Sequence, residues 1–570
     1  MSLIKENEIY LKNVINDLEM NIDKISLEPS SRKEFGQFQI NVAMNLASIY
    51  HTNPRDIASK IVSKLDDRFV NVNIQGPGFI NLSFSDDYLI NYFSTKGFND
   101  MVDKEEPKKI IIDFGGANAA KALHVGHMRS ANIGEALRRL LILFGNDVIS
   151  DVHLGDLGRQ AGMLISQLQI EHPELPYFDL NYKGEYPKLD ITAKDLGRMY
   201  PLASKLAKED PKRMEEVRRI TAEIDKGNKV YIDLWKQMVD VSKVEIKKVY
   251  DELNCHFDLF EGELDSFKDI PATTEILKPF LYESNGALVM DVAKDDDKKE
   301  MPPLLYIKTD GATIYATRDL ATIYSRVKRF DPDEILYVVD ERQGLYFEQV
   351  FRASYKSGLV KKAKLIHSGF GTINGIDGKP YKTRDGGVME LSTLIDLVRS
   401  EISKKIKDDI KGNERDEILE KLTIATIKYT DLLPYRKTDY IFDPVKFSSL
   451  DGKTGPYILY TIVRIKSILN KVNNDSKLTI INTDEMRNVL VKLTEVSTAL
   501  TACYKENTLN YIAEILYEIC SLFNKFYNNC NIVNEGNEEI KSSYIAFIKI
   551  VYSYIKELTN LLAINEVEKM

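Results

Sequence analysis

Two histidines around a glycine, His124-Val125-Gly126-His127, are the residues of this chain best suited to handle phosphate. Upstream, Lys109-Ile110-Ile111-Ile112-Asp113-Phe114 reads as a buried parallel strand, a short β-branched run that ends in Gly115-Gly116. Downstream, Ile133, Leu137, Leu140, Leu141 and Phe144 recur at helical spacing until Gly145, and Asp147-Val148-Ile149 begins a second strand. The imidazoles therefore stand where a loop enters a helix. That first turn offers unpaired N–H groups and the positive end of the helix dipole, which is where open α/β sheets bind nucleotides. The imidazoles add side-chain donors, and Gly126 leaves a position where a flat adenine can approach the backbone. Taken alone, the same four residues also fit a pair of loop histidines with ordinary hydrogen bonds.

The wider block points to the first reading. The stretch Phe114-Gly115-Gly116-Ala117-Asn118-Ala119-Ala120-Lys121-Ala122-Leu123-His124-Val125-Gly126-His127-Met128-Arg129-Ser130 is followed by His153-Leu154-Gly155-Asp156-Leu157-Gly158-Arg159-Gln160. Together they closely resemble the signature block of class I aminoacyl-tRNA synthetases. The Asn-x-x-Lys-x-x-His-Val-Gly-His-x-Arg-Ser form resembles arginyl-tRNA synthetases in particular, with Leu157 where that family usually has Trp. The resemblance implies carboxylate activation, in which the amino acid's own carboxylate attacks the α-phosphorus of ATP and pyrophosphate leaves. Such a site needs no protein nucleophile. On this resemblance His124 and His127 take the α-phosphate and ribose, Gly126 makes room for adenine, and Gly155, Asp156 and Gly158 shape the nucleotide pocket. Mg²⁺ is expected to arrive with ATP, and no structural metal bound by the protein is expected.

A second phosphate-handling loop is expected at Asp377-Gly378-Lys379-Pro380-Tyr381-Lys382-Thr383-Arg384-Asp385-Gly386-Gly387. By itself this is a basic hairpin turn. It resembles the divergent pyrophosphate loop of many arginyl enzymes, with Lys382 and Arg384 as its cations. Lys121, three residues before His124, is placed to supply a further ammonium. Arg is a planar fork and Lys a mobile point charge, so the two do not substitute freely.

A guanidinium substrate demands carboxylates in fork geometry. The resemblance assigns Asp113, Glu263 and Asp319 to that pocket, Asn118 and Gln343 to the α-amino and carboxylate ends, and Tyr315 to the stem. The family usually has Glu at position 113, so the reach there is shortened. Each acid alone reads as a solvated surface carboxylate.

Residues 1–100 read as an N-terminal α+β module. Phe38 to Leu65 has helical periodicity, and two alternating runs flank the turn Gln75-Gly76-Pro77-Gly78. Residues 108–395 continue an α/β pattern around a helical insertion at about 180–260, with further strands expected at Ala287–Met290, Thr313–Ala316, Glu334–Val339 and Lys364–Ile366. Residues 396–450 are expected to connect to a helical bundle at 451–570, where Tyr457–Leu469, Met486–Ala502 and Ile512–Phe526 are periodic. The Gly-Lys-Thr of Asp451-Gly452-Lys453-Thr454 is no phosphate loop, because the required upstream glycine is Phe447. Resemblance to the family's tRNA-elbow domain gives Phe79 a base to stack on and Asn81 a base edge to read. Resemblance to its anticodon helix gives Tyr457, Tyr460 and Arg464, which share one helical face, contacts with unstacked bases, and puts Met570 near the anticodon. The same aromatic stripe reads otherwise as core, and the tail as frayed.

At 570 residues the chain is expected to hold two to four domains. A net charge of −9 disfavours non-specific nucleic-acid binding and leaves shape-specific RNA recognition open. The scattered Cys255, Cys503, Cys520 and Cys530 suit a reducing compartment and show no zinc spacing. No apolar run reaches membrane-spanning length and the first residues are polar, so a cytoplasmic location is expected. The resemblance covers nearly the whole chain. It implies a Rossmann-type α/β class I catalytic domain between an N-terminal α+β domain and a C-terminal all-α anticodon-binding bundle. The expected activity is that of a monomeric arginine–tRNA ligase, with ATP, L-arginine and tRNA(Arg) as partners and no membrane. A cysteinyl enzyme and a non-catalytic tRNA-binding paralogue are the rivals; missing zinc-type cysteines oppose the first, and intact His124, His127, Lys121 and Asp319 oppose the second.

Overall fold

Lys109–Phe114 (β1), Asp147–Asp151 (β2), Glu334–Val338 (β3) and Lys364–His367 (β4) form one parallel sheet in the order β4-β3-β1-β2. Ile110, Ile111 and Ile112 are all buried, as a strand covered on both faces requires. The strand order reverses between β3 and β1, and the carboxyl ends of those two strands open the crevice in which α/β sheets bind ligands. Val125–Leu143 (α1) packs back on β1. A Cβ at Gly134 would lie 2.1 Å from the Phe114 ring, so helix and strand meet at a distance only glycine allows. The computed structural model describes every residue except 31, 180, 310, 382–388 and 473–474.

Arg159–Glu171 (α2) leads into the helical insertion Ala193–Glu209 (α3), Pro211–Asp225 (α4) and Lys229–Glu252 (α5). These helices share a core with Leu164, Leu234, Trp235 and Met238, into which Leu157 also packs. Trp235 comes from α5, and its indole N–H donates to the Asp156 carbonyl. An insertion residue thus braces the loop that follows β2.

Ala287–Met290 is a strand, but of a separate antiparallel sheet with Leu281–Ser284 and Leu304–Ile307. The strand expected at Thr313–Ala316 is instead the entry to a helix, Tyr315–Phe330 (α6). Thr317 Oγ1 accepts the Ile314 N–H at 3.2 Å, and this cap turns the short β-branched run into a helix start. Gly344–Lys356 (α7) connects β3 to β4. These elements belong to one compact unit, Glu106–Ser400 with Arg436–Pro444.

The other unit comprises Met1–Glu105, Glu401–Tyr435 and Val445–Met570. The region 396–450 is accordingly divided between the two units. The expected hairpin is the pair Phe69–Gln75 and Phe79–Phe84, extended by Phe38–Ile40 and Glu28–Pro29. Phe38 to Leu65 is therefore not one helix. It opens as a strand, and Pro54 starts a second helix after Val42–Tyr50, because proline lacks the N–H a helix interior needs. The C-terminal part is helical, with Gly455–Leu469, Asp484–Thr494, Val496–Glu506, Asn510–Asn529 and Glu538–Leu561 packed around residues such as Phe523, Phe526 and Phe547. Among the described residues no helix is long and apolar enough to cross a membrane.

Candidate active site

His124 is the N-cap of α1 and His127 lies in its first turn. The His124 N–H donates to His127 Nδ1 at 3.0 Å, and the Gly126 N–H donates to His124 Nδ1 at 3.1 Å. Both Nδ1 atoms accept, so each neutral ring carries its proton on Nε2. Burial, with the charge of Lys121 added, lowers His124; burial, then His124 and Lys121, push His127 down to about 3. Two neutral imidazoles with fixed Nε2 donors therefore stand at the positive end of a helix. A Cβ at Gly126 would fall 3.0 Å from His124 Cε1, so the space left by the missing side chain serves the His124 ring as well as any ligand.

Lys121 lies beside this helix entrance with its ammonium over the Tyr200 ring, 5.1 Å from the centroid. Lys382 and Arg384 lie outside the described residues. The ends of their segment are fixed: Met389 N donates to Tyr381 O at 3.3 Å, Val125 N to Met389 O at 3.3 Å, and Leu391 N to Leu123 O at 2.8 Å. The chain therefore enters and leaves the basic segment next to the backbone of His124. Arg129, fully buried on α1, donates to the carbonyls of Gly371, Thr372, Arg436 and Thr438. Helix α1 is thereby tied to the strand Ile373–Asn374 from which the segment departs.

A cavity of about 550 Å³ opens at the carboxyl ends of β1 and β3. Its lining gathers all six residues expected for arginine, namely Asp113, Asn118, Glu263, Tyr315, Asp319 and Gln343, together with Gly155. Tyr315 is 66 % exposed and Gln343 is also exposed, so both belong to the rim. A Cβ at Gly155 would lie 2.9 Å from Asn118 Oδ1, which is why that amide can sit where it does. Asp156 is buried and accepts the Leu264 N–H at 2.9 Å, and so braces the turn carrying Glu263. Burial pushes Asp156 up to about 6. Gly158 is the N-cap of α2 at a φ of +115°, a conformation that favours glycine.

The structure supplies partners that the sequence reading missed. Glu263 accepts from Arg318 Nη1 at 3.2 Å and from the Leu157 N–H at 3.1 Å, and Asp113 accepts from Arg326 Nη2 at 2.6 Å. Asp319 accepts from the Tyr346 hydroxyl. Burial raises Glu263 to about 7 against the pull of Arg318, and also raises Asp319 and Asp113. Tyr315, Asp319, Thr322 and Arg326 follow i, i+4, i+7, i+11 on α6, a helical stripe that the mistaken strand at 313–316 concealed. Among the described residues no group of three or more His, Cys, Asp or Glu could hold a metal ion.

In the other unit Phe79 is partly exposed at the start of its strand, whereas Asn81 is only 2 % exposed. Gln39 and Asn73, its register partners on either side, are the more accessible amides of that row. Tyr457, Tyr460 and Arg464 form one network: Arg464 Nη1 donates to Asn524 Oδ1 at 2.8 Å, and Asn524 donates to the Tyr457 hydroxyl at 3.1 Å. The Arg464 guanidinium lies 4.4 Å from the Tyr460 ring centroid. The tail is not frayed. Lys466 holds Glu566 at 2.9 Å and Glu568 at 2.6 Å, Val567 is buried, and Met570 is partly buried.

Comparison with known proteins agrees along the chain. Residues 91–444 match the catalytic domain of class I tRNA synthetases (R), residues 6–84 the arginyl tRNA synthetase N-terminal domain, and residues 458–570 the DALR anticodon binding domain. An arginine–tRNA ligase of Alkaliphilus oremlandii is 42 % identical over 584 aligned residues, covering all of both chains. One from Francisella tularensis is 40 % identical, covering 95 % of each. The fold is that of the Plasmodium falciparum arginyl-tRNA synthetase (TM-score 0.81, 24 % identity, 100 % and 99 % covered) and of the Thermus thermophilus enzyme (TM-score 0.78, 18 % identity, 100 % of both). Sequence identity across the full length, three matched domains and the shared fold lead to one conclusion: the chain belongs to the arginyl-tRNA synthetase family of class I.

Proposed function

We propose that this chain attaches L-arginine to tRNA(Arg) at the expense of ATP, the known reaction of its family, with the residue roles that follow. The carrying observation is the single cavity that collects Asp113, Asn118, Glu263, Tyr315, Asp319 and Gln343 at the carboxyl ends of β1 and β3. The arginine side chain enters it with the guanidinium toward Asp319 and Glu263, while Asn118 and Gln343 hold the α-amino and carboxylate ends. The carboxylate is thereby directed toward the α1 entrance. There the Nε2–H donors of His124 and His127, at the positive end of the helix, meet the α-phosphate oxygens. They stabilise the charge that develops as a carboxylate oxygen bonds to phosphorus and the bond to pyrophosphate breaks. Lys121, Lys382 and Arg384 receive the pyrophosphate. Mg²⁺ comes bound to ATP and supplies further charge neutralisation.

In the second step a hydroxyl of the terminal adenosine of the tRNA attacks the arginyl carbonyl, and AMP leaves. Phe79 with the amides around Asn81, and Tyr457, Tyr460, Arg464 and Met570, are the tRNA-facing groups of the other unit. The reading takes the enzyme as a cytoplasmic monomer, since one chain supplies every named group and its four cysteines are free thiols. The test is ATP–pyrophosphate exchange with each of the twenty amino acids, with and without tRNA(Arg). Exchange driven by arginine alone supports the reading. Exchange driven by another amino acid, or by none, contradicts it.

A further inference from the structure

Asp113 and Asp151 are register partners at the ends of β1 and β2, so two carboxylates stand side by side in the interior. Two such neighbours cannot both stay ionised without a cation between them. Arg326 supplies it. Its Nη2 lies 2.6 Å from an oxygen of each carboxylate, and the side chain is 1 % exposed. Its Nε and Nη1 have no hydrogen-bond partner among the described residues, and the guanidinium lies 5.5 Å from the centroid of the Tyr337 ring. His153 Nδ1 lies 3.6 Å from the same Asp151 carboxylate. The acids expected to meet a substrate guanidinium therefore differ in what they have left to offer. Asp113 is already paired with Arg326, Glu263 is shared with Arg318, and among the described residues Asp319 has a hydrogen bond only from the neutral Tyr346 hydroxyl.

We infer that Arg326 is a positioning residue that sets the specificity of the amino-acid cavity. By bridging Asp113 and Asp151 it withdraws both from the incoming cation and leaves Asp319, with Glu263 beside it, as the receiving carboxylate. This rests on the reading of the cavity as an arginine pocket. A substrate guanidinium moving toward Asp113 would meet a buried positive charge, so its head is confined to the Asp319 side. Without Arg326 the two strand-end acids would compete for the same head group and draw it away from the geometry that serves the carboxylate. Both contacts come from one nitrogen, Nη2, at the end of a long side chain; a lysine ammonium carries the same charge on a shorter, more mobile stem.

The experiment uses the full-length protein with tRNA and follows arginine-dependent pyrophosphate exchange in Arg326→Ala, Arg326→Lys, Asp113→Asn and Asp319→Asn, each checked for folding by thermal melting. In Arg326→Ala the KM for arginine should rise at least about tenfold while the KM for ATP stays within about twofold, the size expected when a buried ion pair is broken. Millimolar guanidinium ion should lower that KM again, although it only inhibits the wild type. Arg326→Lys should fall between the two, and Asp113→Asn should cost less than Asp319→Asn. The inference is overturned if folded Arg326→Ala and Arg326→Lys keep a wild-type arginine KM, or if Asp113→Asn costs as much as Asp319→Asn and guanidinium rescues nothing. Should Arg326→Ala not fold, Arg326→Lys and the two aspartate variants decide. Wild-type protein with no arginine-dependent exchange would instead remove the pocket reading beneath the inference.

Discussion

His124 fixes the tautomer of His127: the Nδ1 of His127 accepts the His124 N–H at 3.0 Å, and the two rings stack with centroids 3.7 Å apart. The helix entrance is thus capped by the groups that are to donate to phosphate. Replacing His127 by alanine removes one Nε2 donor and strands the His124 N–H. Exchange should fall by about 10²–10³, the cost of one charge-stabilising donor, with arginine affinity unchanged. Unaltered turnover would contradict the assignment.

The same pair carries a stability signature. His127 is held down at about 3, below its ordinary value near 6.5, by burial and by the charges of His124 and Lys121. The unfolded chain takes up this proton first, so the stability it contributes is present above about 6.5 and is lost as pH falls toward 3. In His127→Gln, denaturation midpoints should fall less between pH 6.5 and 4 than in the wild type. Parallel pH profiles would contradict this.

Glu263 gives binding a trend in the same direction. Burial raises it to about 7, and a guanidinium needs it ionised. Arginine affinity should therefore increase as pH rises through about 7 and level off above, by up to about tenfold per unit below it. Calorimetry in buffers of different ionisation enthalpy should show proton release below 7, and Glu263→Gln should abolish the slope. A flat affinity from pH 5.5 to 8 in the wild type would contradict the ionisation argument.

Much of this was legible in the sequence because strand and helix periods are local. β1, the helix after His127 and the insertion follow from runs of isoleucine, from apolar spacing and from glycine. The register that sets Asp113 beside Asp151 joins strands brought together by folding, and no spacing in the chain announces it. Arg326 stayed hidden for a related reason. A short β-branched run at Thr313–Ala316 looks like a strand until the Thr317 cap is seen, and only a helix puts Asp319 and Arg326 on one face.

In the helical C-terminal region the aromatic stripe is neither plain core nor a free platform. Ile458, Leu459 and Ile462 fill the interior, while Tyr460 stays partly exposed under Arg464. Tyr460→Ala should weaken tRNA binding by about 1–3 kcal/mol, the value of one stacked base, and leave the KM for arginine unchanged. Filter binding and melting together separate the outcomes. A collapse of the melting temperature with tRNA affinity intact would make Tyr460 structural.

The most direct test of the account is the affinity of L-arginine and of neutral L-citrulline for the wild type and for Asp319→Asn, measured by calorimetry. The wild type should bind arginine and reject citrulline by at least about 10²-fold, and Asp319→Asn should lose most of that difference, because a buried cation without its carboxylate costs several kcal/mol. Equal binding of the two ligands by the wild type, or an undiminished preference in Asp319→Asn, would contradict it.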